Sequence, residues 1–284
     1  MDRSPLAPLV GIERLGTHRS DHLLAVATGA DGTGWFVKAF APAAASDYVR
    51  EVAIYERFAF AGVVPSLRFT DPQQMIVATD FVAGGRLGDL DAAHVAAVIP
   101  RLAPLYATIT DPSPLAKADD EADGTLDKSW AEVAHLPSAA GLPEPAVVER
   151  ILLDVPRYAI HGDFQPSNVL VGESGPLVVD FESYGAGIPA TDIAKMAYNP
   201  LLAIDDADRG ELADEMLGAL ENRGVARVAL RQFAASTVLW AVSCAAYFQT
   251  VRAANPESEI AAPEVVPLST RPLELAATLW NRGL

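Results

Sequence analysis

Apolar and polar positions alternate in short runs over the first eighty residues, then change to helical spacing for most of the remaining chain. Leu9-Val-Gly-Ile-Glu-Arg-Leu15, His22-Leu-Leu-Ala-Val-Ala-Thr28 and Trp35-Phe-Val-Lys-Ala-Phe40 have the length and composition of strands, with a glycine-rich turn at Gly29–Gly34. Ser46-Asp47 is placed to cap a helix running to about Phe60, with Val49, Val52, Tyr55 and Phe58 on one face. Two more strands fit Ser66–Phe69 and Met75–Thr79. After the turn at Ala83-Gly-Gly85 a helix is expected from about Ala92, limited or kinked by Pro100. Residues 111–132 hold seven acids against Lys117 and Lys128, with Gly and Pro present, and predict a mobile loop or short insertion. A helix fits Glu144–Leu153, and short strands fit Tyr158–Ile160 and Leu177–Val179. Long helices fit about Asp208–Asn222 and Ala226–Ala253, and a last one follows Pro272. The pattern predicts an α+β chain in two parts: residues 1–80, a small antiparallel sheet with one helix, and residues 81–284, mainly helical.

Composition narrows the setting. The 284 residues are half hydrophobic and one fifth charged, the balance of a chain with a well-filled core. The N-terminus lacks the apolar core of a secretion signal. The most apolar stretch, Val238–Phe248, is shorter than the roughly 20 residues a membrane span needs, so a buried helix is expected there and no membrane partner. A single cysteine, Cys244, makes no internal disulfide, which fits a reducing compartment and a cytoplasmic protein. The net charge of −16 is uneven: residues 1–80 carry 9 acids and 7 basic residues, residues 81–284 carry 28 and 14. Such a field repels nucleic acid and anionic membrane, and it favours a cationic partner. Surface solubility alone explains the same acids.

Candidate chemistry sits in His161-Gly-Asp-Phe-Gln-Pro-Ser-Asn168 and Asp180-Phe-Glu182. Phosphoryl transfer needs a carboxylate to orient and deprotonate a hydroxyl, oxygen ligands for Mg²⁺, and positive charge on the nucleotide phosphates. Asp163 is such a carboxylate, with Asn168 five residues on. A hairpin across 168–171 and 177–180 brings Asn168 and Asp180 to one ion. Lys38 is the lone lysine of the first 116 residues and lies thirteen residues before Glu51, with Glu56 on the same predicted helix.

On these residues the chain resembles the aminoglycoside phosphotransferase and choline kinase-like family, relatives of the eukaryotic protein kinases, over roughly residues 8–200. The resemblance implies a two-lobed protein kinase-like fold. It makes Asp163 the catalytic base, with His161 supporting its loop, and Asn168 and Asp180 the magnesium ligands. It makes Lys38 the contact to the α- and β-phosphates, held by Glu51. Asp192 matches a buried aspartate that braces the catalytic loop, and it equally suits a plain helix N-cap. Asp80, Phe81 and Val82 match the hinge where main-chain groups read adenine. Two departures stand out. The segment Leu15–Asp21 has one glycine where a phosphate-covering loop is glycine-rich, which leaves GTP open beside ATP, and Gln165 stands where many relatives have histidine.

Eleven residues between Asp180 and Asp192 are too few for a peptide-presenting activation segment, and Glu182 replaces the usual glycine, so a protein kinase is not expected. The sequence points to a small-molecule kinase, a monomer or homodimer, acting first on a cationic antibiotic such as an aminoglycoside. Acids at Asp205–Glu211 or in the 111–132 segment are candidates for holding its ammonium groups. Choline-like alcohols, amino sugars or other metabolites are the second class. A nucleotide-binding pseudokinase and a metal-dependent hydrolase using His161 and Asp163 are the alternatives of other kinds.

Overall fold

The computed structural model describes residues 9–18, 22–29, 31–115, 125–254 and 266–282. Strands β1 (Leu9–His18), β2 (His22–Gly29) and β3 (Gly34–Phe40) come first. Helix α1 (Ala45–Phe58), strands β4 (Leu67–Asp71) and β5 (Ile76–Asp80), and the two-residue β6 (Gly85–Arg86) follow. Next are α2 (Ala92–Ile109), β7 (Asp111–Leu115), α3 (Thr125–Val133), α4 (Pro145–Leu152) and β8 (Arg157–Ile160). The hairpin β9 (Val169–Gly172) and β10 (Gly175–Val178) precedes β11 (Gly185–Gly187). Helices α5 (Pro189–Ala197), α6 (Asp206–Glu221), α7 (Leu230–Ala254) and α8 (Val266–Arg282) complete the order. The chain forms two compact units, Met1–Asp89 with Ser167–Tyr184, and Leu90–Pro166 with Gly185–Leu284.

The first unit is built on an antiparallel sheet in the order β1-β2-β3-β5-β4. Lys38 lies in its central strand, opposite Leu24 on one side and Val77 on the other. Helix α1 buries Tyr48, Ile54, Tyr55 and Phe58, each large apolar side chain contributing about 1.5–3 kcal/mol. The buried stripe also contains Glu51, and Val49, expected inside, is 63% exposed. Turning Glu51 inward to meet Lys38 rotates the helix away from the face that apolar spacing alone predicts. Ser46 and Asp47 do not cap α1. A 3-10 turn beginning at Pro42, whose fixed φ suits a helical start, runs directly into it.

A second sheet, β10-β9-β6, holds the motif hairpin in this unit. The Val178 N–H also donates to the Val63 carbonyl at 2.8 Å. These contacts group the hairpin with the first ninety residues, although a sequence division at residue 80 leaves it in the later segment. Gly84 is required where β6 meets β9, because a Cβ there would lie 2.0 Å from the Val171 carbonyl oxygen.

In the second unit, a three-stranded sheet β11-β8-β7 ends at the His161 loop, and helices supply the rest. Helix α2 continues past Pro100 and Pro104. Its apolar stripe, including Val95, Leu102, Tyr106 and Ile109, is fully buried, and this packing outweighs the missing N–H groups that predict a break. The predicted loop 111–132 contains β7 and most of α3. The proline-bearing β7 sits at a sheet edge, where a lost donor costs least. Lys117 and the acids of 116–124 lie outside the described residues. Helix α7 begins at Leu230, later than apolar content predicts, and the Ala226 N–H ahead of it donates to the Tyr158 hydroxyl at 2.8 Å. Helix α8 begins before Pro272 rather than after it, with Leu273, Leu275, Ala276 and Trp280 buried beyond the proline.

Candidate active site

Strand β3 points Lys38 into the first unit, where it is almost fully buried. Its Nζ donates to Glu51 Oε2 and to Asp180 Oδ1, both at 2.8 Å, and Glu182 Oε2 lies 3.4 Å away. Burial alone would lower this ammonium, but Glu51 and then Asp180 outweigh it and hold Lys38 above its ordinary value. Burial pushes the Glu51 carboxyl up to about 7, against the pull of Lys38. Glu56, the other glutamate of α1, is exposed.

Helix α1 also positions the Asp180-Phe-Glu182 motif. Phe181 is fully buried edge-on to Tyr55, with ring centroids 5.8 Å apart, and the Arg50 guanidinium donates to the Glu182 carbonyl. Asp180 adopts a left-handed conformation, φ 68° and ψ 64°, unusual for a residue with a Cβ but among those Asp tolerates best. The turn ends the hairpin and aims the carboxylate at Lys38. Asn168 stands at the other foot of the hairpin, its carbonyl accepting the Val179 N–H at 3.0 Å. Val179 thus stands opposite Asn168 at the base of the hairpin with Asp180 next in the chain, and Asn168 and Asp180 both offer the oxygen donors that hard Mg²⁺ prefers.

Sequence spacing gives no sign of His22. Buried on β2, its Nε2 donates to Glu182 Oε2 at 3.0 Å, its ring packs edge-on to Phe40, and its Nδ1 has no partner among the described residues. The Glu182 that replaces the usual glycine therefore ties β2 to the Lys38 cluster.

At the end of β5, the Asp80 carboxylate pairs with Arg68. The N–H groups of Asp80 and Phe81 donate to Ser66 and Gly34 carbonyls inside the sheet, and the Phe81 side chain is half exposed.

Asp163 and His161 belong to the second unit. His161 is fully buried, and its Nδ1 accepts the Asp163 N–H at 3.2 Å. Asp192, fully buried on α5, accepts the N–H groups of Gly162 at 2.9 Å and Phe164 at 3.4 Å. The Tyr106 hydroxyl approaches the same carboxylate. Burial raises the Asp192 carboxyl, opposed by Lys195, His161 and the two amides. Asp192 therefore braces the loop instead of capping its own helix, whose N-cap position is Ile188. Gln165 Nε2 donates to Asp163 Oδ2 at 2.9 Å, and Lys195 donates to the Gly162 carbonyl and approaches Asp163 Oδ1 at 3.4 Å. Lys195 has a legible signal, since it lies three residues beyond Asp192 and so on the same helix face. Burial pushes the Cys244 thiol up to about 11, leaving it unreactive near neutrality.

Two of the acids proposed to hold an acceptor are already engaged. Asp205 caps α6 by accepting the Ala207 and Asp208 N–H groups, and Asp206 pairs with Arg271 at 3.2 Å. Asp208 opens onto a groove of about 610 Å³ beside Ala92, Ala96 and Ile99. Among the described residues, no group of three or more His, Cys, Asp or Glu side chains is arranged to hold a metal, as a hydrolase centre on His161 and Asp163 would require.

The model of the phosphotransferase enzyme family matches residues 12–233, most of the chain. The chain belongs to this family. No curated protein matches it significantly in sequence. Among solved structures, this phosphotransferase is similar to the choline kinase LicA of Streptococcus pneumoniae, with TM-score 0.64 and 16% identity over 97% of this chain and 96% of that one. LicA has also been solved with AMP. The macrolide 2'-phosphotransferase MphH of Brachybacterium faecium gives TM-score 0.56 and 17% identity over 90% and 91%. The aminoglycoside phosphotransferase APH(4)-Ia, in a ternary complex with AMP-PNP and hygromycin B, gives TM-score 0.56 and 15% identity over 94% of both chains. These likenesses establish a protein kinase-like fold, with a small antiparallel sheet in the first unit and a helical second unit.

Glu51 offers a direct check on the first-unit cluster. Its carboxyl keeps its proton in the fold up to about 7 but releases it near 4.5 when unfolded. Stability contributed by this group therefore falls as pH rises from about 4.5 to 7. Glu51→Gln is expected to flatten the pH dependence of the unfolding midpoint over that range. The same variant should lower kcat/KM for nucleotide about tenfold as Lys38 loses its anchor. An unchanged pH profile would remove the buried carboxyl from the account.

Proposed function

We propose that this phosphotransferase moves the γ-phosphoryl group of ATP to a hydroxyl of a small molecule, with a cationic antibiotic such as an aminoglycoside as the first class of acceptor. The observation that carries the reaction is the cluster in which Lys38 is held by Glu51 and Asp180, with Asn168 across the hairpin. In this reading the Lys38 ammonium contacts the α- and β-phosphates, and Glu51 fixes it there. Asn168 and Asp180 are the residues that hold Mg²⁺, which when bound shields the phosphate charge. The N–H groups of Asp80 and Phe81 being engaged in the sheet, recognition of the base by main chain falls to Val82 and the adjoining carbonyls. Asp163 takes the proton of the acceptor hydroxyl as its oxygen attacks phosphorus, and Asp192 and His161 keep the loop in place. AMP in LicA and AMP-PNP in APH(4)-Ia support an adenine nucleotide.

The acid excess of residues 81–284 supports a cationic acceptor. Choline-like amino alcohols are the second class, and Lys195 weighs against them. Its ammonium stands beside Asp163, so an ammonium two carbons from the reacting hydroxyl meets a like charge. At about 5 Å and an effective dielectric of about 20 the repulsion is about 3 kcal/mol. Choline is therefore expected to react with a kcat/KM on the order of a hundredfold below its uncharged carbon isostere. Equal values would remove this repulsion.

The decisive experiment is an ADP-release screen over aminoglycosides, peptide antibiotics, macrolides, choline and amino sugars, with ATP and GTP, against an Asp163→Asn background. Acceptor-dependent release is expected for a polyamine antibiotic. Release with none of them, despite nucleotide binding, would favour a pseudokinase.

A further inference from the structure

Lys195 occupies the last turn of α5, one turn beyond Asp192, and both side chains reach the segment that carries Asp163. A cation in the last turn of a helix ordinarily serves that helix's own carbonyls. Here the Ala194 and Met196 carbonyls are met by the Tyr198 N–H, and the Lys195 ammonium goes instead to the Gly162 carbonyl and Asp163 Oδ1. The Gly162 carbonyl ties Lys195 to the loop main chain, and the loop has other ties that do not involve it. Asp192 already takes the N–H groups of Gly162 and Phe164, and the Phe164 ring packs on Tyr106 with centroids 4.8 Å apart.

What Lys195 adds is charge at the reacting end. Gln165 meets Asp163 Oδ2 in a firm contact at 2.9 Å, and Lys195 approaches Oδ1 in a longer one at 3.4 Å. An incoming hydroxyl more readily displaces the long contact. The Lys195 side chain is about one fifth exposed, and its one ion pair among the described residues is with Asp163. Helix α7, which places Cys244 near both groups, carries no charged residue between Arg231 and Arg252, so it supplies no carboxylate to neutralise the ammonium.

We propose that Lys195 is a catalytic residue of the transfer, its ammonium passing from Asp163 Oδ1 to the acceptor oxygen and the arriving phosphoryl group. This rests on the phosphotransferase reading above. The acceptor O–H bond breaks and its proton goes to Asp163. The acceptor oxygen bonds to the γ-phosphorus, and the bond from that phosphorus to the bridging oxygen of ATP breaks. Its electron pair leaves on ADP. Lys195 keeps its proton throughout and offsets the negative charge gathered between acceptor and phosphorus.

The test measures hydrolysis of MgATP, with water as the acceptor, in the parent, Lys195→Ala and Lys195→Arg, each corrected for the Asp163→Asn background. Lys195→Ala is expected to lose about a hundredfold in kcat with KM for ATP changed by less than about threefold. Ethylammonium should restore about tenfold of the lost rate, and Lys195→Arg should retain more than Lys195→Ala, effects that a merely structural lysine would not show. If Lys195→Ala does not fold, Lys195→Met, which keeps the aliphatic stem, carries the same kcat comparison. A folded neutral variant within about threefold of the parent overturns the inference, as does a loss confined to KM or a lack of ethylammonium rescue in Lys195→Ala. A parent no faster than Asp163→Asn overturns the phosphotransferase reading itself.

Discussion

Asp163→Asn is expected to remove nearly all phosphoryl transfer while leaving nucleotide binding close to the parent value. The substitution keeps the size of the side chain and an oxygen for Gln165 Nε2, now 2.9 Å from Asp163 Oδ2. It removes the charge and the capacity to take a proton. General-base assistance contributes about 10²–10⁴ in rate, so kcat should fall by about three orders of magnitude. The stability cost is small by comparison. Asp163 is about one third exposed, and its contact with Lys195 is a partly solvated pair that contributes no more than about 1 kcal/mol. The lost rate should therefore appear in a variant with a near-parental unfolding midpoint and calorimetric affinity for ATP. A kcat within about tenfold of the parent would remove Asp163 as the base.

That separation of rate from stability follows from how the site is held. The loop depends for its shape on Asp192, His161 and the Tyr106–Phe164 stack, all buried, while Asp163 projects from it. The strands β2, β3 and β5 are legible in sequence because alternation and a hairpin turn specify both their limits and their faces. Lys38 and Glu51 are legible because thirteen residues separate a strand lysine from a helix acid. Local pattern fails where a distant partner decides the outcome. The face of α1 turns on Glu51 meeting Lys38, so Val49 is left in solvent. The prolines of α2 and α8 are overridden by the burial of the helices that contain them. The pairing of His22 with Glu182 spans 160 positions, and no periodicity encodes it. Lys195 lies between these cases: its face is legible from Asp192, but its target is not.

Lys38→Met should produce the largest change in stability. In the parent, the ammonium sits among three carboxylates, Glu51, Asp180 and Glu182, and two of these contacts are at 2.8 Å. Methionine fills much of the volume of the lysine stem but leaves Glu51, only 2% exposed, without its cation. Removing one partner of a buried pair costs about 3–5 kcal/mol, because the remaining charge is neither hydrated nor paired. The loss should be greatest at alkaline pH, where Glu51 would have to ionise, and smaller near pH 5, where it stays protonated. Adding Glu51→Gln to Lys38→Met removes that buried charge and should recover much of the stability at pH 8. Activity should not follow. With no ammonium to meet the α- and β-phosphates, single and double variants alike should fall about 10²–10³-fold in kcat/KM for ATP. Denaturant unfolding at pH 5 and pH 8, run beside ATP turnover, separates the two effects. A Lys38→Met protein as stable as its parent at pH 8 would refute the buried charge cluster, and parental turnover would refute the role of Lys38 at the nucleotide.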